Sequence, residues 1–411
     1  ELEINQPHAP QIYLGIVPVC RMPDGELAIG GTGKPVEWTV HMHRFDDHAL
    51  LATAIGADPP SLPFYDRLAD EIASYHAKAS VIADRNGAAA MQVIVDELRE
   101  AFASAGDVIG RTRQAEFDRL LSGQLDTCRH RLDQRARRGY LRRCHGDLHL
   151  GNIVVLSGRP VLFDAIEFSE EFASIDTLYD LAFLIMDLDK RGMRPEANRL
   201  LNRYLSQTGD PANIAALQAM PLFLSCRAAI RAMVAITRMR QASSNAAGTK
   251  ARSEALDYFR VATGFLNIER PKLICIGGLS GTGKTTMARR LAPATARPPG
   301  ALHLRSDVER KNLFGVDETE RLEAGAYTLK VSARIYARLM HKAKLALLAG
   351  SSVIVDAVFL NDHERHHAER TAQSAGAMFS GLWLEADETA MISRVTARTG
   401  DASDATASVV R

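Results

Sequence analysis

The sequence predicts two folded units of different class. The first is an α+β unit whose strands come early and whose body is helical; the second is an α/β unit built on a doubly wound parallel sheet. Three observations carry this. Residues 11–46 read as strands, residues 47–268 keep apolar side chains at helical spacing, and beyond 268 short apolar strands alternate with helices. At 411 residues the chain is too long for one ordinary core, and its 46% hydrophobic and 24% charged content is that of a globular protein. The divisions expected are 1–46, 47–268 and 269–411.

In chain order, QIYLGIVPVCR is β-rich, MPDG signals a turn, ELAIGG resumes, and VEWTVHMHRF alternates as a half-buried strand does. The loop AIGGTGKP (28–35) imitates a phosphate-binding loop. Ala28 stands where a glycine belongs, however, Pro35 replaces the Ser or Thr, and strands lie on both sides, so a hairpin loop is expected. FYDRLADEIASYHAKA, MQVIVDELREAFASA and ANIAALQAMPLFLSCRAAIRAMVAITRMRQA read as helices. QASSNAAGTK (241–250) reads as flexible, and Pro271 is expected to end the last helix of the unit. Beyond it, KLICIGG precedes KTTMARRLA, ALHLRSD precedes VERKN, SSVIVDAV precedes a His- and Arg-rich helix, and GLWLEA precedes ETAMISRVTAR. Four such strands imply a parallel sheet with right-handed crossovers.

Fifty Lys and Arg against 49 Asp and Glu leave a net charge of +1, which argues against a nucleic-acid partner while leaving a local basic groove open. Cys20, Cys128, Cys144, Cys226 and Cys275 show no paired spacing, as in a reducing cytosol, so a cytoplasmic location is expected. Apolar runs such as LYDLAFLIMDLD are broken by acids, no signal-like start is seen, and no membrane association is expected. The abrupt ELEINQ and ASVVR ends are expected of a piece of a longer protein.

Two stretches carry chemistry. In GLSGTGKTT, Gly278, Gly283, Lys284 and Thr285 satisfy G-x-x-x-x-G-K-[ST] between a strand and a helix. Residues Gly278, Ser280, Gly281, Thr282, Gly283, Lys284, Thr285 and Thr286 are expected to wrap the phosphates of ATP. Lys284 supplies charge at the β/γ-phosphates, and the Thr285 hydroxyl faces Mg²⁺. Asp307 is placed to accept the proton of an attacking hydroxyl and Arg310, one turn on, to hold a phosphate; the alternative is that Ser306 or Asp307 only caps the helix. Asp356 closes VIVDA, where a carboxylate orients Mg²⁺ or its waters. Arg394 and Arg398 share a helix face and are expected either to close over the triphosphate or to form a solvated, salt-bridged face. His363, His366 and His367 lack the acids or cysteines of a metal set.

In HGDLHLGN, Asp147 stands five residues before Asn152, and Asp164 follows an apolar strand. That spacing suits phosphoryl transfer, with Asp147 orienting and deprotonating a hydroxyl and Asn152 and Asp164 holding Mg²⁺. The alternatives are a Zn²⁺ or Fe site at His145, Asp147 and His149, for which no downstream ligands complete a set, or acids that merely cap loops.

On GLSGTGKTT, D-V-E-R (307–310), VIVDA and R-V-T-A-R (394–398), the region 270–411 resembles P-loop kinases of small molecules and polynucleotide 5′-ends. The resemblance implies sheet order 2-3-1-4-5, with strand 4 at 381–386 and a fifth strand beyond Arg411. On HGDLHLGN, FDAIEF and SIDTLYDLAFLIMDL, the first unit resembles the aminoglycoside phosphotransferase and choline kinase branch of the protein-kinase-like fold. That implies a catalytic loop, a metal-binding segment and a following helix whose Asp180 buttresses the loop. Glu167 and Asp176 become candidates for gripping a polar or cationic substrate. Residues 1–46 look like the small lobe from its single helix onward, with Glu1 the partner of a lysine on a preceding strand. The whole order of parts resembles the bacterial family of fused aminoglycoside-phosphotransferase-like and P-loop ATP-binding proteins. It implies a bifunctional phosphotransferase using ATP and Mg²⁺ on small-molecule hydroxyl acceptors. Two rivals stand beside it: a non-catalytic binding module joined to a P-loop ATPase switch, and a polynucleotide 5′-end kinase.

Overall fold

The computed structural model describes residues 1–398 and 400–410. A short helix α1 (Leu2–Asn5) leads into β1 (Tyr13–Arg21), the centre of a three-stranded antiparallel sheet. The turn at 22–25 folds β2 (Leu27–Ile29) back on β1, and β3 (Lys34–Met42) pairs along the other edge of β1. The glycines at 30–33 therefore carry the chain from one edge strand to the other. The expected hairpin is not formed, because β1 lies between the two strands that this loop joins.

The helical body follows as α2 (Leu51–Ala57), α3 (Leu62–Lys78), α4 (Gly87–Ala103), α5 (Gly106–Ile109) and the 27-residue α6 (Arg111–Arg137). Strand β4 (Leu141–Arg143), the hairpin β5 (Ile153–Leu156) and β6 (Arg159–Leu162), α7 (Glu170–Ala173) and β7 (Ser174–Asp176) surround the segment 144–152. Helices α8 (Thr177–Lys190), α9 (Arg194–Thr208), α10 (Pro211–Ala215), α11 (Met220–Arg240) and α12 (Asn245–Phe265) complete the body. The polar run 241–250 is largely helical rather than flexible: the Ser244 hydroxyl accepts the Ala247 amide and starts α12. That helix stops at Phe265, ahead of Pro271. The stretch Pro211–Arg240 is long and apolar enough to cross a membrane by composition, but 78% of its apolar window is buried inside the protein, where it serves as core.

The second unit is β8 (Lys272–Gly277), α13 (Lys284–Leu291), β9 (Leu302–Arg305), α14 (Ser306–Phe314), α15 (Leu329–Leu348), β10 (Val353–Asp356), α16 (Asp362–Ser374), β11 (Met378–Trp383), α17 (Glu388–Thr396) and α18 (Ala407–Val410). All its pairings are parallel, in the order β11-β8-β10-β9. Numbered within the unit, that is 2-3-1-4, as the resemblance implied. The fourth strand starts three residues earlier than expected, and the 20-residue α15 was missed. One apolar core runs from Leu51 of the helical body to Ala377 of the second unit. Helix α9 bridges them. Its Asn198 Nδ2 donates to Ala301 O (3.0 Å) and its Asn202 Oδ1 accepts from His303 N (2.7 Å).

Candidate active sites

The first site grows from the segment between β4 and β5. Asp180, in the first turn of α8 and fully buried, accepts from the amides of His145 (3.1 Å) and Gly146 (2.9 Å) and lies 3.0 Å from His76 Nε2. Burial alone would raise this carboxyl. The His76 hydrogen bond and the charges of His76, His145 and Arg227 outweigh burial and hold it below the usual range. Gly146 is required where it stands: its φ is +83°, and a Cβ would come within 2.9 Å of Ile166 Cδ1. So braced, the loop presents Asp147. Asn152 Nδ2 donates both to its backbone oxygen (3.0 Å) and to its Oδ2 (3.0 Å), while His149 Nε2 lies 3.4 Å from the same Oδ2.

Asp164 sits after β6 with φ +61°. Its amide donates to the Tyr13 hydroxyl (3.1 Å), and the next amide, of Ala165, donates to Asn5 Oδ1 (2.7 Å). The small lobe thus pins the strained backbone. The Asp164 carboxyl is pushed up by desolvation and by the carboxylates of Glu167 and Asp147. Glu1 is pushed up by desolvation, then by Glu167 and Asp164. Four acids therefore act on one another here at longer range. Among the described residues no three of their carboxylates bring oxygens within 4.8 Å of one another, so a Mg²⁺ would be held by the hard oxygens of Asp164 and Asn152 rather than by the four acids together. The buried trio His76, Cys144 and Asp180 has ligand atoms close enough for a metal. Its atoms are already committed, because His76 Nδ1 meets the Tyr204 hydroxyl (2.8 Å) and Asp180 holds the loop.

Beside Asp147 a cavity of about 630 Å³ opens between α4, α8 and α11. Glu167 is exposed and lies with Asp164 and Glu1, away from that cavity. Asp176 lines the cavity, but its carboxylate is taken by Arg135 (2.6 and 2.8 Å) and by the Leu178 amide (2.8 Å).

The second site lies where β8 enters α13. A Cβ on Gly278 (φ +137°) would fall 2.5 Å from Leu384 O, and one on Gly281 (φ +87°) 2.6 Å from Met391 O. Gly283, at φ +97°, opens the helix. Thr282 is buried with its hydroxyl on Leu279 O (2.8 Å), Ser280 is half-buried, and Thr286 is exposed on the first turn of α13. Lys284 Nζ donates to Leu279 O (2.9 Å). Its ammonium is held below the usual lysine range by burial, with Asp356 and Asp307 opposing and Arg398 adding to the shift. Thr285 Oγ1 donates to Asp356 Oδ2 (2.5 Å), and the same oxygen lies 3.7 Å from His303 Nε2 and 4.0 Å from Arg305 Nε. These neighbours overcome the burial of Asp356 and keep its carboxyl low.

Asp307 is pushed up by burial and by Asp356, against Arg305, Ser403 and Lys284. The N-cap of α14 is Arg305, without a side-chain cap hydrogen bond, so neither Ser306 nor Asp307 stands at the cap position. Arg394 Nη1 donates to Gly281 O (3.1 Å), which brings it onto the loop, whereas Arg398 Nε lies 3.6 Å from Asp401. Arg310 is not brought to the loop. It is buried under Tyr327 with its guanidinium carbon 4.8 Å from the ring centroid, and Nη1 donates to Ala326 O (2.5 Å).

The model of a phosphotransferase enzyme family matches residues 14–217, and that of an AAA domain matches 273–411. Uncharacterized protein Rv2004c of Mycobacterium tuberculosis H37Rv is 30% identical over 422 residues, covering 100% of this chain and 80% of that protein. Mb2027c of Mycobacterium bovis matches to the same extent. The chain belongs to the family of fused aminoglycoside-phosphotransferase-like and P-loop kinase proteins. Among solved structures, a Plasmodium vivax ethanolamine kinase is similar over 55% of this chain and 67% of its own at 12% identity, with a TM-score of 0.35. The Mycobacterium tuberculosis APS kinase covers 28% of this chain and 76% of its own at 25% identity, with a TM-score of 0.24.

In this fused kinase, sequence reasoning did not find Asn5, Tyr13, His76 or His303, each of which orients a site carboxylate or its backbone. No local pattern marks them. Asn5 and Ala165, for instance, are 160 residues apart. His303 alone left a trace, as the polar residue of an otherwise apolar strand ALHL.

Proposed function

We propose that the protein is a bifunctional phosphotransferase, each unit moving the γ-phosphoryl group of ATP to a hydroxyl of a small molecule. The carrying observation is the Asn152 clamp on Asp147, in a loop braced by buried Asp180 and opening on a cavity. A binding module would have no use for a carboxylate so oriented. In the first unit, Asp147 accepts the proton of the incoming hydroxyl, and Asn152 and Asp164 hold Mg²⁺. In the second, the loop amides of 278–286 and Lys284 bind the β/γ-phosphates. Arg394 approaches from the lid side, Thr285 and Asp356 hold Mg²⁺, and Asp307, its carboxyl raised towards a working base, takes the proton. Mg²⁺ supplies neutralisation of phosphate charge at both sites. Arg398 is assigned to the lid with Arg394. Arg310 is assigned no phosphate contact, because it is engaged with Ala326 and Tyr327. Units of 1–46 plus 47–268, and of 269–411, follow from this reading. A cytoplasmic location is also part of it, since all five cysteines are free and buried.

The test is incubation of the protein with ATP and a metabolite extract, reading by mass spectrometry the products that gain one phosphate. Asp147→Ala and Lys284→Ala are expected to abolish two non-overlapping sets of products. If Asp147→Ala removes none, the first unit is a binding module. If Lys284→Ala leaves only ATP hydrolysis changed, the second is an ATPase switch.

A further inference from the structure

The cavity beside Asp147 is of the size that takes one drug-sized molecule, about 300–1,000 Å³. Its walls are apolar: Met91, Ile94 and Leu98 from α4, and Ile230, Met233 and Val234 from α11. Val93 and Val234 stay 39% and 43% exposed at its edge, although the buried faces of the same helices are well packed.

The charges on its lining are mostly spoken for. Arg85 pairs with Glu171 (2.9 Å), Arg238 with Glu254 (2.9 Å), and Asp176 with Arg135 (2.6 Å). Two arginines are different: Arg231, half-buried with its guanidinium carbon 5.8 Å from the Tyr258 ring centroid, and the more deeply buried Arg227. Arg227 lines the cavity, is only 6% exposed, and is sandwiched at 4.0 Å over the Tyr179 ring and 4.9 Å over the Phe183 ring. Its Nε donates to Tyr179 O (3.3 Å), while its buried Nη2 has no hydrogen-bond partner and stands 3.9 Å from Asp180 Oδ1. Asp180 is already engaged by two amides and His76 and stands at the far edge of ion-pair range. The guanidinium, which always carries its charge, therefore keeps donor capacity that favours a further anion. A polyamine would meet the opposite: a fixed cation within the cavity and, of the lining acids, only Glu97 and Asp147 without an ion-pair partner among arginines or lysines of the described residues.

We infer that the acceptor of the first unit is an apolar-bodied hydroxy acid, its carbon skeleton against α4 and α11, its carboxylate at Arg227 and its hydroxyl at Asp147. This rests on the kinase reading above and gives it a substrate class. In the transfer, the acceptor oxygen forms a bond to the γ-phosphorus as the bond from that phosphorus to the ADP oxygen breaks. The hydroxyl proton passes to Asp147.

The probes are 10-hydroxydecanoate, its methyl ester and 10-aminodecan-1-ol, titrated by calorimetry into the full chain without ATP and then assayed for phosphate transfer with it. The acid is expected to bind at least about tenfold more tightly than either relative, the scale of a charge-assisted hydrogen bond. In Arg227→Gln that ratio is expected to fall to about one. A role for Arg227 confined to bracing Asp180 would weaken all three probes alike and leave the ratio intact, which would overturn the inference. Val234→Trp, at the exposed edge, is expected to weaken all three in a folded protein, and unchanged binding there would also overturn it. So would an amino alcohol that binds as tightly as the acid, or no binding by any probe. Arg227-dependent binding without transfer would uphold the pocket chemistry and sink the kinase reading. Transfer to the amino alcohol alone would do the reverse.

Discussion

Replacing Asp180 by Asn tests the architecture of the first site at its foundation. The carboxylate is fully buried and receives the His145 and Gly146 amides at 3.1 and 2.9 Å and His76 Nε2 at 3.0 Å. Asn offers one oxygen, so its Nδ2 must face at least one donor, and Arg227 loses the anion 3.9 Å away. Removing one partner of a buried charged network costs about 3–5 kcal/mol. At about 2–4 °C per kcal/mol for a domain of this size, the melting transition of the first unit is expected to fall by roughly 6–20 °C. Calorimetry of the full chain reads it. The sign with pH is also set. The folded carboxyl is held below its ordinary value, so its stabilisation is complete above the unfolded pKa of about 3.9 and disappears as pH falls through the lower folded value. The gap between wild type and variant is therefore expected to be flat from about pH 8 to pH 5 and to close below about pH 4. An unchanged melting temperature, or a gap that widens in acid, would refute the bracing role.

Three further outcomes are expected. Because Glu1 and Asp164 carboxyls are raised, folding prefers them protonated, and the stability this gives is present at low pH and lost as pH rises through their folded values. Mg²⁺ offsets that loss, so it is expected to raise the melting temperature more at about pH 7.5 than at about pH 5, and equal shifts would count against the acid cluster as the metal site. Gly281→Ala places a methyl 2.6 Å from Met391 O at φ +87°, a strain of about 1–3 kcal/mol in the loop, and is expected to weaken nucleotide binding about tenfold or more; wild-type affinity in a nucleotide titration would refute this. Asn202→Ala strips the partner from His303 N (2.7 Å) and is expected to cost about 1–3 kcal/mol, read as earlier melting of the second unit; an unmoved transition would remove α9 as the strut between units.

How much of this was legible in the sequence depends on distance along the chain. The P-loop and the Asp147–Asn152 spacing are local, six to eight residues long, and both were visible because backbone geometry and side-chain chemistry are encoded together. The parallel sheet followed from strand–helix alternation. What failed was non-local. Helix α12 begins inside a polar, low-complexity run, where only the Ser244 cap marks its start. The GGTGK loop looked like a hairpin because sequence shows that two strands are neighbours in order, not that β1 lies between them. Arg310 was placed on the right helix, one turn after Asp307, yet its guanidinium turns to Tyr327 and Ala326 of a segment whose position no spacing rule gives. The apolar cavity was invisible for a related reason: α4 and α11 each read as ordinary amphipathic helices, and only their packing leaves a gap between them.

The two sites also set their carboxylates in opposite ways, Asp356 buried and Asp164 exposed, and this bears on how each would use a cation. Asp356 is already balanced by the Thr285 hydroxyl at 2.5 Å, His303 at 3.7 Å and Arg305 at 4.0 Å, and its carboxyl is kept low. A metal arriving there must displace or share the Thr285 hydrogen bond. Its net gain is reduced by what the protein already supplies, so ATP phosphates are expected to help recruit it. The Asp164 carboxylate has no ion pair or side-chain hydrogen bond of that kind among the described residues. Desolvation, Glu167 and Asp147 push its carboxyl up while His145 and His149 pull it down, and its backbone amide is fixed by the Tyr13 hydroxyl. A cation arriving there relieves acid–acid repulsion that His145 and His149 do not fully offset, since the carboxyl remains raised. Binding of Mg²⁺ before nucleotide is therefore a property to expect of the first site, and binding with nucleotide a property of the second.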